Sequence, residues 1–348
     1  MTVVDFFKDS DWRYRIRRFE FENGTTWDDD AILGALFTGD SADNHFVGIS
    51  SRGDTMLGLG GNDTLEGLSG SDALHGGDGN DTLFGGDGDD TLDGGAGNDI
   101  IYTNDGRDTY TFGIGDGHDT WYVEYSNTNR YNTLKLKEGI TPSSIDFERT
   151  GDQLTIKFHG YSDTITLPNF FKDESSYHRF QRISFFDGTE WDENDILMHV
   201  FTGSNDDDVI QGFNNRGDTI YGLDGDDIIH GLSGNDYIDG GAGNDIIYTN
   251  DGRDTYTFGI GDGHDTWYVE YSNTNRYNTL KLKEGITPSS IDFERTGDQL
   301  TIKFHGYSDT ITLPNFFKDE SSYHRFQRIS FFDGTQWNET TLNLKIAE

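Results

Sequence analysis

The sequence lacks cysteine, is poor in proline and contains no long apolar run. Its 348 residues include no Cys and only 4 Pro. Without Cys there can be no disulfides and no thiolate metal sites such as zinc fingers or iron–sulfur clusters. No stretch of about 18 apolar residues occurs, so the sequence predicts no transmembrane helix. The first residues also lack the apolar segment of a secretory signal.

Positive charge is also scarce. The chain has 63 Asp and Glu residues against 26 Lys and Arg, which gives a formal net charge of −37. A polyanion of this strength repels nucleic-acid phosphates and anionic membrane surfaces, so we expect no nucleic-acid partner. Cations are the expected counter-charges.

Acidic residues and glycines are concentrated in two blocks, 37–111 and 201–257. Together the blocks hold 27 acidic residues, four arginines, no lysine and 29 of the 45 glycines. Such a composition ordinarily indicates disorder, because too little apolar surface is available to offset the chain entropy. A strict period within the blocks argues instead for regular structure.

The sequence repeats itself over long distances. Residues 93–189 recur identically as 239–335, an offset of 146, and residues 5–27 resemble 169–191 at an offset of 164. The chain therefore begins inside one module and continues through two complete ones, and we expect it to be a piece of a longer array. The two offsets differ by 18 residues, which is twice the period of a shorter repeat.

This shorter repeat places an aspartate at every ninth position. The motif is Gly-Gly-x-Gly-x-Asp-x-U-x, where U is apolar, and it is clearest at 76–84, 85–93 and 94–102. The apolar residues that follow the aspartates are Leu65, Leu74, Leu83, Leu92, Ile101, Ile220, Ile229, Ile238 and Ile247. A multi-copy motif in one phase is highly specific.

The motif resembles the calcium-binding nonapeptide of the RTX (haemolysin-type) family. The segments between the blocks resemble the related flanking domain of large RTX proteins, through Gly115–Thr120, Asp163–Phe171 and Phe186–Trp191. The resemblance implies an all-β fold of two parallel β-rolls that alternate with small β-rich flanking domains carrying short helices. It also implies export by a type I secretion system and folding outside the cell as calcium binds.

The expected organisation has five parts. Residues 1–36 form the end of a flanking module, 37–111 and 201–257 form the β-roll blocks, and 112–200 and 258–348 form flanking domains. Two nonapeptides make one coil of a roll, so loops on the same side lie 18 residues apart. A block can then gain or lose one coil while its ends stay in phase.

Physical chemistry agrees with a calcium site in these loops. Glycine permits positive φ and lets carbonyls turn inward, while aspartate supplies a hard oxygen that suits Ca²⁺ with its roughly 6–8 oxygen ligands. We expect each ion to lie between two loops one coil apart, with at most about ten ions in total. The predicted ligands are the aspartates Asp54, Asp63, Asp72, Asp81, Asp90, Asp99, Asp108, Asp208, Asp218, Asp227, Asp236, Asp245 and Asp254, and the glycines Gly77, Gly79, Gly86, Gly88, Gly95, Gly97, Gly241 and Gly243.

Some loops depart from the motif, so we expect fewer ions than the ceiling. Asn44 replaces an aspartate, and Ile49–Arg52 replaces the glycines before Asp54. Leucine occupies the second position in four loops, at Leu59, Leu68, Leu223 and Leu232.

The flanking segments show alternating apolar and polar residues. This pattern predicts strands at Thr133–Lys137, Gln153–Phe158, Thr164–Leu167 and Arg182–Phe185. Hairpin connections are expected at 151–152 and 160–163. Two short helices are predicted, at Asn169–Gln181 and Asp192–Val200.

No catalytic constellation is evident, so we predict that the chain is not an enzyme. His159, Ser162 and Asp163 lie too close in the sequence to supply triad geometry. Two R-G-D tripeptides, Arg52–Asp54 and Arg216–Asp218, place their aspartates at the calcium position, which argues against receptor binding. Aromatic residues such as Trp121, Tyr122 and Tyr125 offer an alternative role in stacking on sugars, but we expect most of these rings to pack between strands.

The sequence thus leads to two hypotheses. The first is a calcium-triggered folding module of a secreted RTX protein, either a toxin-like virulence protein or a surface protein, at an extracellular location. The alternative is an adhesin-like extracellular repeat that binds a cell-surface glycan or a second copy of the chain.

Overall fold

The computed structural model describes residues 18–124, 131–172, 178–270, 277–318 and 324–347. The described chain divides into two compact units at Ile196 and Leu197, called unit 1 and unit 2 below. Its regular structure is mostly β-strand, as predicted. The helices of the described residues are α1 (Asp29–Leu36), α2 (Glu193–Val200) and α3 (Glu339–Ala347).

Unit 1 is built from two long sheets. Its strands are β1 (Arg18–Glu20), β2 (Thr26–Asp28), β3 (His45–Val47), β4 (Thr55–Gly60), β5 (Thr64–Glu66), β6 (Ala73–Asp78), β7 (Thr82–Phe84), β8 (Thr91–Ala96), β9 (Ile100–Thr103), β10 (Thr109–Phe112), β11 (His118–Val123), β12 (Thr133–Leu136), β13 (Ile145–Thr150), β14 (Gln153–Phe158), β15 (Thr164–Leu167), β16 (Arg182–Ser184) and β17 (Glu190–Asp192). One sheet has the order β17-β16-β12-β10-β8-β6-β4, and the other has the order β13-β14-β15-β11-β9-β7-β5-β3. Strands β1 and β2 form a separate antiparallel pair.

Unit 2 repeats this design with fewer coils. Its strands are β18 (Val209–Gln211), β19 (Thr219–Asp224), β20 (Ile228–Gly234), β21 (Tyr237–Ala242), β22 (Ile246–Gly252), β23 (Thr255–Phe258), β24 (His264–Val269), β25 (Thr279–Leu282), β26 (Ile291–Thr296), β27 (Gln299–Phe304), β28 (Thr310–Leu313), β29 (Arg328–Ser330) and β30 (Gln336–Asn338). The sheets have the orders β18-β20-β22-β24-β28-β27-β26 and β19-β21-β23-β25-β29-β30.

The nonapeptides form a parallel roll in each unit. The chain alternates between the two sheets, so parallel neighbours within one sheet are one coil apart: Thr55 pairs with Ala73, and Ala73 with Thr91. The predicted apolar column faces the space between the sheets, since Leu65, Leu83 and Ile101 are all 0% exposed. Burial of one aliphatic side chain contributes roughly 1.5–3 kcal/mol, so the single U residue of each repeat supplies most of its core.

The two sheets continue from the roll into the flanking segment. Strand β11 pairs parallel with β9, and β12 pairs parallel with β10. Antiparallel hairpins then end each sheet, formed by β13–β14–β15 in one sheet and by β16–β17 in the other. The strands and hairpin turns that the sequence predicts in this segment are all present. The five-part division of the chain stays a prediction, because each compact unit contains both a roll and the segment that follows it.

One prediction and one alternative in the flanking segment need correction. The helix expected at Asn169–Gln181 falls partly outside the described residues, and residues 169–172 form a turn. Trp121, one of the three rings for which sugar stacking was the alternative to packing between strands, is 0% exposed and stacks on Phe180. The ring of Tyr122 stacks on Tyr102, which covers one of its faces. Tyr125 lies outside the described residues.

Candidate metal centre

The position-six aspartates form a ladder along each side of the roll. The backbone N–H of Asp63 donates to Asp81 Oδ1 at 2.7 Å, and the N–H of Asp81 donates to Asp99 Oδ1 at 2.7 Å. The other side repeats this arrangement, with the N–H of Asp72 donating to Asp90 Oδ1 at 2.8 Å. Each bond joins loops one coil apart, so the structure brings together the pairs that the sequence predicts.

The second oxygen of these carboxylates is buried without a hydrogen-bond partner. Ten aspartates share this feature, namely Asp63, Asp72, Asp81, Asp90, Asp99, Asp108, Asp227, Asp236, Asp245 and Asp254, each at Oδ2. A buried polar oxygen without a donor costs about 1–3 kcal/mol, and more when it is charged. A column of such oxygens is a set of hard acceptors that a cation would satisfy.

Backbone carbonyls face the same space. A Cβ atom placed on Gly76 would overlap both Asp81 Oδ2 and the carbonyl oxygen of Gly94, and a Cβ on Gly58 would overlap Asp63 Oδ2 and the Gly76 carbonyl. A carboxylate oxygen and a carbonyl oxygen thus converge beside these position-one glycines, and Gly67 and Gly222 show the same arrangement. Converging hard oxygens without a donor suit Ca²⁺, and the residues present fit this ion.

The predicted glycines at positions two and four have a different task in the geometry. Gly88 has φ +134, and a Cβ there would overlap the Gly70 carbonyl of the preceding coil. Only glycine permits this backbone approach at positive φ. The position-one glycines were absent from the predicted ligand set, although their carbonyls face the orphaned oxygens. Whether the carbonyls at positions two and four act as ligands stays a prediction.

The burial of these carboxylates changes their acidity. Desolvation is the largest cause, and it raises the pKa of Asp81 and Asp90 to about 6, of Asp72 and Asp99 to about 7, and of Asp108 to about 8. Neighbouring carboxylates raise these pKa values further, whereas the backbone hydrogen bond of each ladder lowers them. A bound divalent cation would favour the ionised form that burial disfavours.

A second ladder runs at position five. The N–H of Asn80 donates to Asn62 Oδ1 at 2.8 Å, and the N–H of Asn98 donates to Asn80 Oδ1 at 2.7 Å. These bonds point to the preceding coil, whereas the position-six bonds point to the following coil. Each internal loop is therefore tied to both of its neighbours through side chains.

The ladders end on residues that the sequence analysis missed. The N–H of Asp99 donates to Asp119 Oδ1, and the N–H of Asp108 donates to Asn132 Oδ1. Asp119 Oδ2 accepts a hydrogen bond from the Tyr110 hydroxyl, so this carboxylate has the protein donor that the orphaned Oδ2 atoms of the roll lack. In unit 2, Asp265, Asn278 and Tyr256 take the same positions. The change of spacing from 18 to 20 and 24 residues hid these positions from a period search.

The flanking aspartates have protein partners. Asp116 Oδ2 accepts from Lys137 Nζ at 2.9 Å, and Asp163 Oδ1 accepts from the N–H groups of Gly115 and Gly117 at 3.0 and 2.9 Å. These carboxylates hold a turn together through hydrogen bonds within the protein.

The irregular loops keep the backbone of the roll. Leu59, Leu68 and Leu223 adopt positive φ of 76, 72 and 82, as glycine does at this position, and their side chains are exposed. The side chain of Asp54 in the first R-G-D tripeptide is 1% exposed, so it cannot reach a receptor.

Carboxylates alone do not build a metal site here. Within 18–124, 131–172, 178–270, 277–318 and 324–347, no group of three or more His, Asp or Glu side chains is arranged to hold a metal ion. Among the helices of the same residues, none has the length and apolarity needed to cross a membrane.

Family models match both kinds of segment. The RTX calcium-binding nonapeptide repeat matches residues 50–83, 84–119, 214–247 and 230–265, and the haemolysin-type calcium binding protein related domain matches 1–31, 153–195 and 299–341. Two of the repeat matches end on Asp119 and Asp265, the last carboxylates of the ladders. Both families are structural calcium-binding modules.

Two individual proteins are similar to this chain. The iron-regulated protein FrpA of Neisseria meningitidis serogroup C is 31% identical over 119 residues, which cover 34% of this chain and 11% of FrpA. The extracellular lipase LipA from Serratia marcescens is 16% identical with a TM-score of 0.27, over 70% of this chain and 38% of the lipase. This chain thus spans only a small part of FrpA and well under half of LipA. On the strength of the matched repeats and related domains, the chain belongs to the RTX family of calcium-binding nonapeptide repeat proteins.

Proposed function

We propose that this chain is a calcium-triggered folding module of a secreted RTX protein. The observation that carries the proposal is the set of ten buried Oδ2 atoms without a hydrogen-bond partner, six in unit 1 and four in unit 2, each on a position-six aspartate. When bound, Ca²⁺ supplies positive charge that screens these carboxylates and accepts their lone pairs. The ligands are the aspartate Oδ2 atoms together with the carbonyls of the loops one coil away.

Charge explains why folding should wait for the ion. The two blocks hold 27 acidic residues against four arginines, so the calcium-free chain repels itself. The roll offers no protein donor to the orphaned oxygens, so closing it without a cation leaves them desolvated and unpaired. The free energy of binding then becomes free energy of folding, as in other metal-dependent small folds.

The same coupling suits a secreted protein. Extracellular calcium modules bind with dissociation constants of about 10⁻⁴–10⁻³ M, which leaves the ion unbound at the low calcium concentration of a cytosol. An open chain can pass through a type I exporter and can fold outside the cell. A toxin-like or surface role of the parent protein is part of this proposal, supported by membership in the RTX family.

The test is a calcium titration of the chelated full chain followed by circular dichroism. We expect a large cooperative gain of β signal with Ca²⁺ and little with Mg²⁺, because Mg²⁺ demands small octahedral sites and dehydrates reluctantly. Calorimetry should give no more than about ten ions per chain, one for each orphaned oxygen. A chelated sample with full β signal would contradict the proposal.

A second candidate role is binding by the flanking segments to a glycan or to another copy of the chain. The observation in its favour is the exposure of aromatic rings on turns: Tyr161 is 60% exposed and Phe186 is 63% exposed. Their copies Tyr307 and Phe332 are 59% and 65% exposed. A glycan array and a sizing column, both with calcium, test this role. A strict monomer that binds no glycan would exclude it.

A further inference from the structure

The loop that carries each R-G-D tripeptide is longer than a regular calcium loop. The regular loop Gly76–Asp81 has six residues, whereas Gly48–Asp54 and Gly212–Asp218 have seven. The longer loops place Ser51 and Asn215 at positive φ, 63 and 54. Each of these loops lies in the first coil of its roll.

The longer loop brings a donor to the oxygen that regular loops leave without a partner. The N–H of Ile49 donates to Asp54 Oδ2 at 2.6 Å, and the N–H of Phe213 donates to Asp218 Oδ2 at 2.6 Å. In the next loop along the same side, Asp72 Oδ2 has no hydrogen-bond partner. The orphaned oxygen that marks a calcium position is therefore satisfied in the R-G-D loops.

An arginine supplies the positive charge in the same loops. Arg52 Nε lies 3.4 Å from Asp54 Oδ1, and Arg216 Nε lies 3.7 Å from Asp218 Oδ1. Arg52 also pairs with Asp29 at the start of α1, at 3.0 Å. The guanidinium is always charged and is more weakly hydrated than an ammonium, which suits a half-buried ion pair.

The two R-G-D loops share this geometry although their sequences differ. The first loop is Gly-Ile-Ser-Ser-Arg-Gly-Asp and the second is Gly-Phe-Asn-Asn-Arg-Gly-Asp. Both lie outside the identical copies 93–189 and 239–335. The arginine and the extra residue are therefore not explained by identical duplication.

The first loop on the opposite side also has protein partners. In unit 1 the residue at position six is the neutral Asn44, whose Oδ1 accepts from the N–H of Asp40. In unit 2, Asp208 Oδ2 accepts from the N–H and the hydroxyl of Ser204, at 2.5 and 2.9 Å. In the first coil of each roll, the Oδ2 atom of every position-six aspartate thus accepts a hydrogen bond from the protein.

From these observations we propose that the R-G-D loops bind no calcium and that their arginines act as built-in cations in place of the first ion on that side. The proposal rests on the proposed function, because it assigns which position-six aspartates hold metal. Asp54, Asp208 and Asp218 are excluded, and the ten aspartates with an orphaned Oδ2 remain. Each roll then starts on a coil that needs no ion.

A pair of isosteric variants tests the assignment by counting ions on the full chain with native mass spectrometry. We expect Asp54→Asn to bind as many calcium ions as the wild-type chain and Asp72→Asn to bind at least one fewer. Loss of an ion from Asp54→Asn would overturn this proposal alone. A wild-type chain that binds no calcium would overturn the proposed function as well.

A loop replacement tests the same idea by gain. Replacing Gly48–Asp54 with the regular sequence Gly-Gly-Asp-Gly-Asn-Asp removes both the arginine and the extra residue. We expect one additional calcium ion per chain, because Asp54 Oδ2 then loses its N–H donor. An unchanged ion count in a folded variant would overturn the proposal. If this variant does not fold, the Asp54→Asn and Asp72→Asn pair still decides.

The charge of the arginine is tested with Arg52→Gln, with Arg107→Gln as the control. Arg107 is exposed and contributes its backbone N–H to the position-five ladder. We expect Arg52→Gln to keep the ion count but to lower the Tm of the calcium-loaded chain by about 3–6 °C, since Asp54 loses its cation. Arg107→Gln should leave both unchanged. Equal Tm values for the two variants would contradict the built-in cation.

Discussion

Aspartates of the roll and aspartates of the flanking segment lie in or directly before strands of the same two sheets, but their oxygens have different hydrogen-bond partners. Asp81 in the roll keeps one oxygen without a donor, whereas Asp119 and Asp163 in the flanking segment are held by a tyrosine hydroxyl and by backbone N–H groups. Both kinds are buried, so burial alone does not identify a metal ligand. The absence of a protein donor is the feature that separates them.

The largest expected effect comes from a substitution at a glycine whose backbone lets neighbouring loops stack. Gly88→Ala should cost about 3 kcal/mol or more, because the new Cβ overlaps the Gly70 carbonyl. Gly151→Ala is the control, since its φ is also positive at 62 but nothing lies within 4 Å of a Cβ there. That variant should lose only about 1–2 kcal/mol of backbone strain. Urea unfolding in calcium measures both, and equal losses would argue against close stacking of the loops.

Isosteric amides should separate the two kinds of aspartate. Asp81→Asn keeps an oxygen for the N–H of Asp63 but replaces the orphaned oxygen with a donor. We expect the calcium midpoint of folding to rise several-fold, on the order of 1–2 kcal/mol.

Asp163→Asn is the matched control for that change. It retains the oxygen that accepts from Gly115 and Gly117, so the calcium midpoint should not move. Circular dichroism during calcium titration reports both midpoints. If the calcium midpoint rises equally in Asp81→Asn and Asp163→Asn, the roll and flanking aspartates do not differ in their effect on calcium binding.

Removing one hydroxyl should make a flanking aspartate resemble those of the roll. Tyr110→Phe deletes the donor to Asp119 Oδ2 and leaves a buried oxygen without a partner. We expect a loss of about 1–3 kcal/mol in the free energy of unfolding. Tyr102→Phe serves as the control, because that half-buried ring stacks on Phe84 and Tyr122 at the surface of the sheet. If the two variants lose equal stability, the Tyr110 hydroxyl is not the donor that stabilises Asp119 Oδ2.

The smallest expected effect is a pH dependence of the calcium-free chain. The folded pKa values of Asp81, Asp99 and Asp108 are raised to about 6, 7 and 8, from an unfolded value of about 3.9. The folded state therefore binds more protons, so the stability contributed by these groups is full below about pH 4 and is lost as pH rises through 6–8.

Circular dichroism of the chelated chain at pH 5 and pH 8 measures this dependence, because the roll should be more stable, and its residual β signal larger, at pH 5 than at pH 8. With calcium present the trend should reverse, because protons compete with the ion for the same oxygens. Equal stability at both pH values in chelator would contradict the raised pKa values.

The nine-residue period predicted the roll because one repeat is also one physical unit. It placed Leu83 and Ile101 in the core and paired Asp63 with Asp81. The nine-residue period stops where insertions lengthen the coil. The period therefore did not identify Asp119 and Asn132, although they continue the same ladders. The sequence marks the loop before Asp54 as irregular, but it does not show that a backbone N–H reaches the Asp54 carboxylate, because such a contact leaves no trace in residue type.

Aromatic residues were harder to place from the sequence. Trp121 is followed directly by Tyr122 and Val123, so no apolar–polar alternation shows which of these side chains faces the core. In the structure its indole N–H donates to Thr103 Oγ1 at 3.0 Å inside the closed end of the roll. Tertiary closure by distant segments decides such a position, and local pattern does not contain that information.

The opposed side-chain ladders also govern how a roll comes apart. In a loop inside the stack, the position-six N–H donates to the following coil and the position-five N–H donates to the preceding coil. Unfolding an inner coil therefore leaves hydrogen-bond donors and acceptors unpaired on both neighbouring coils. Unfolding a terminal coil leaves them unpaired on one neighbour only. Damage or mechanical force should therefore unfold the roll from its terminal coils, and an interior coil should stay folded until its neighbours have unfolded.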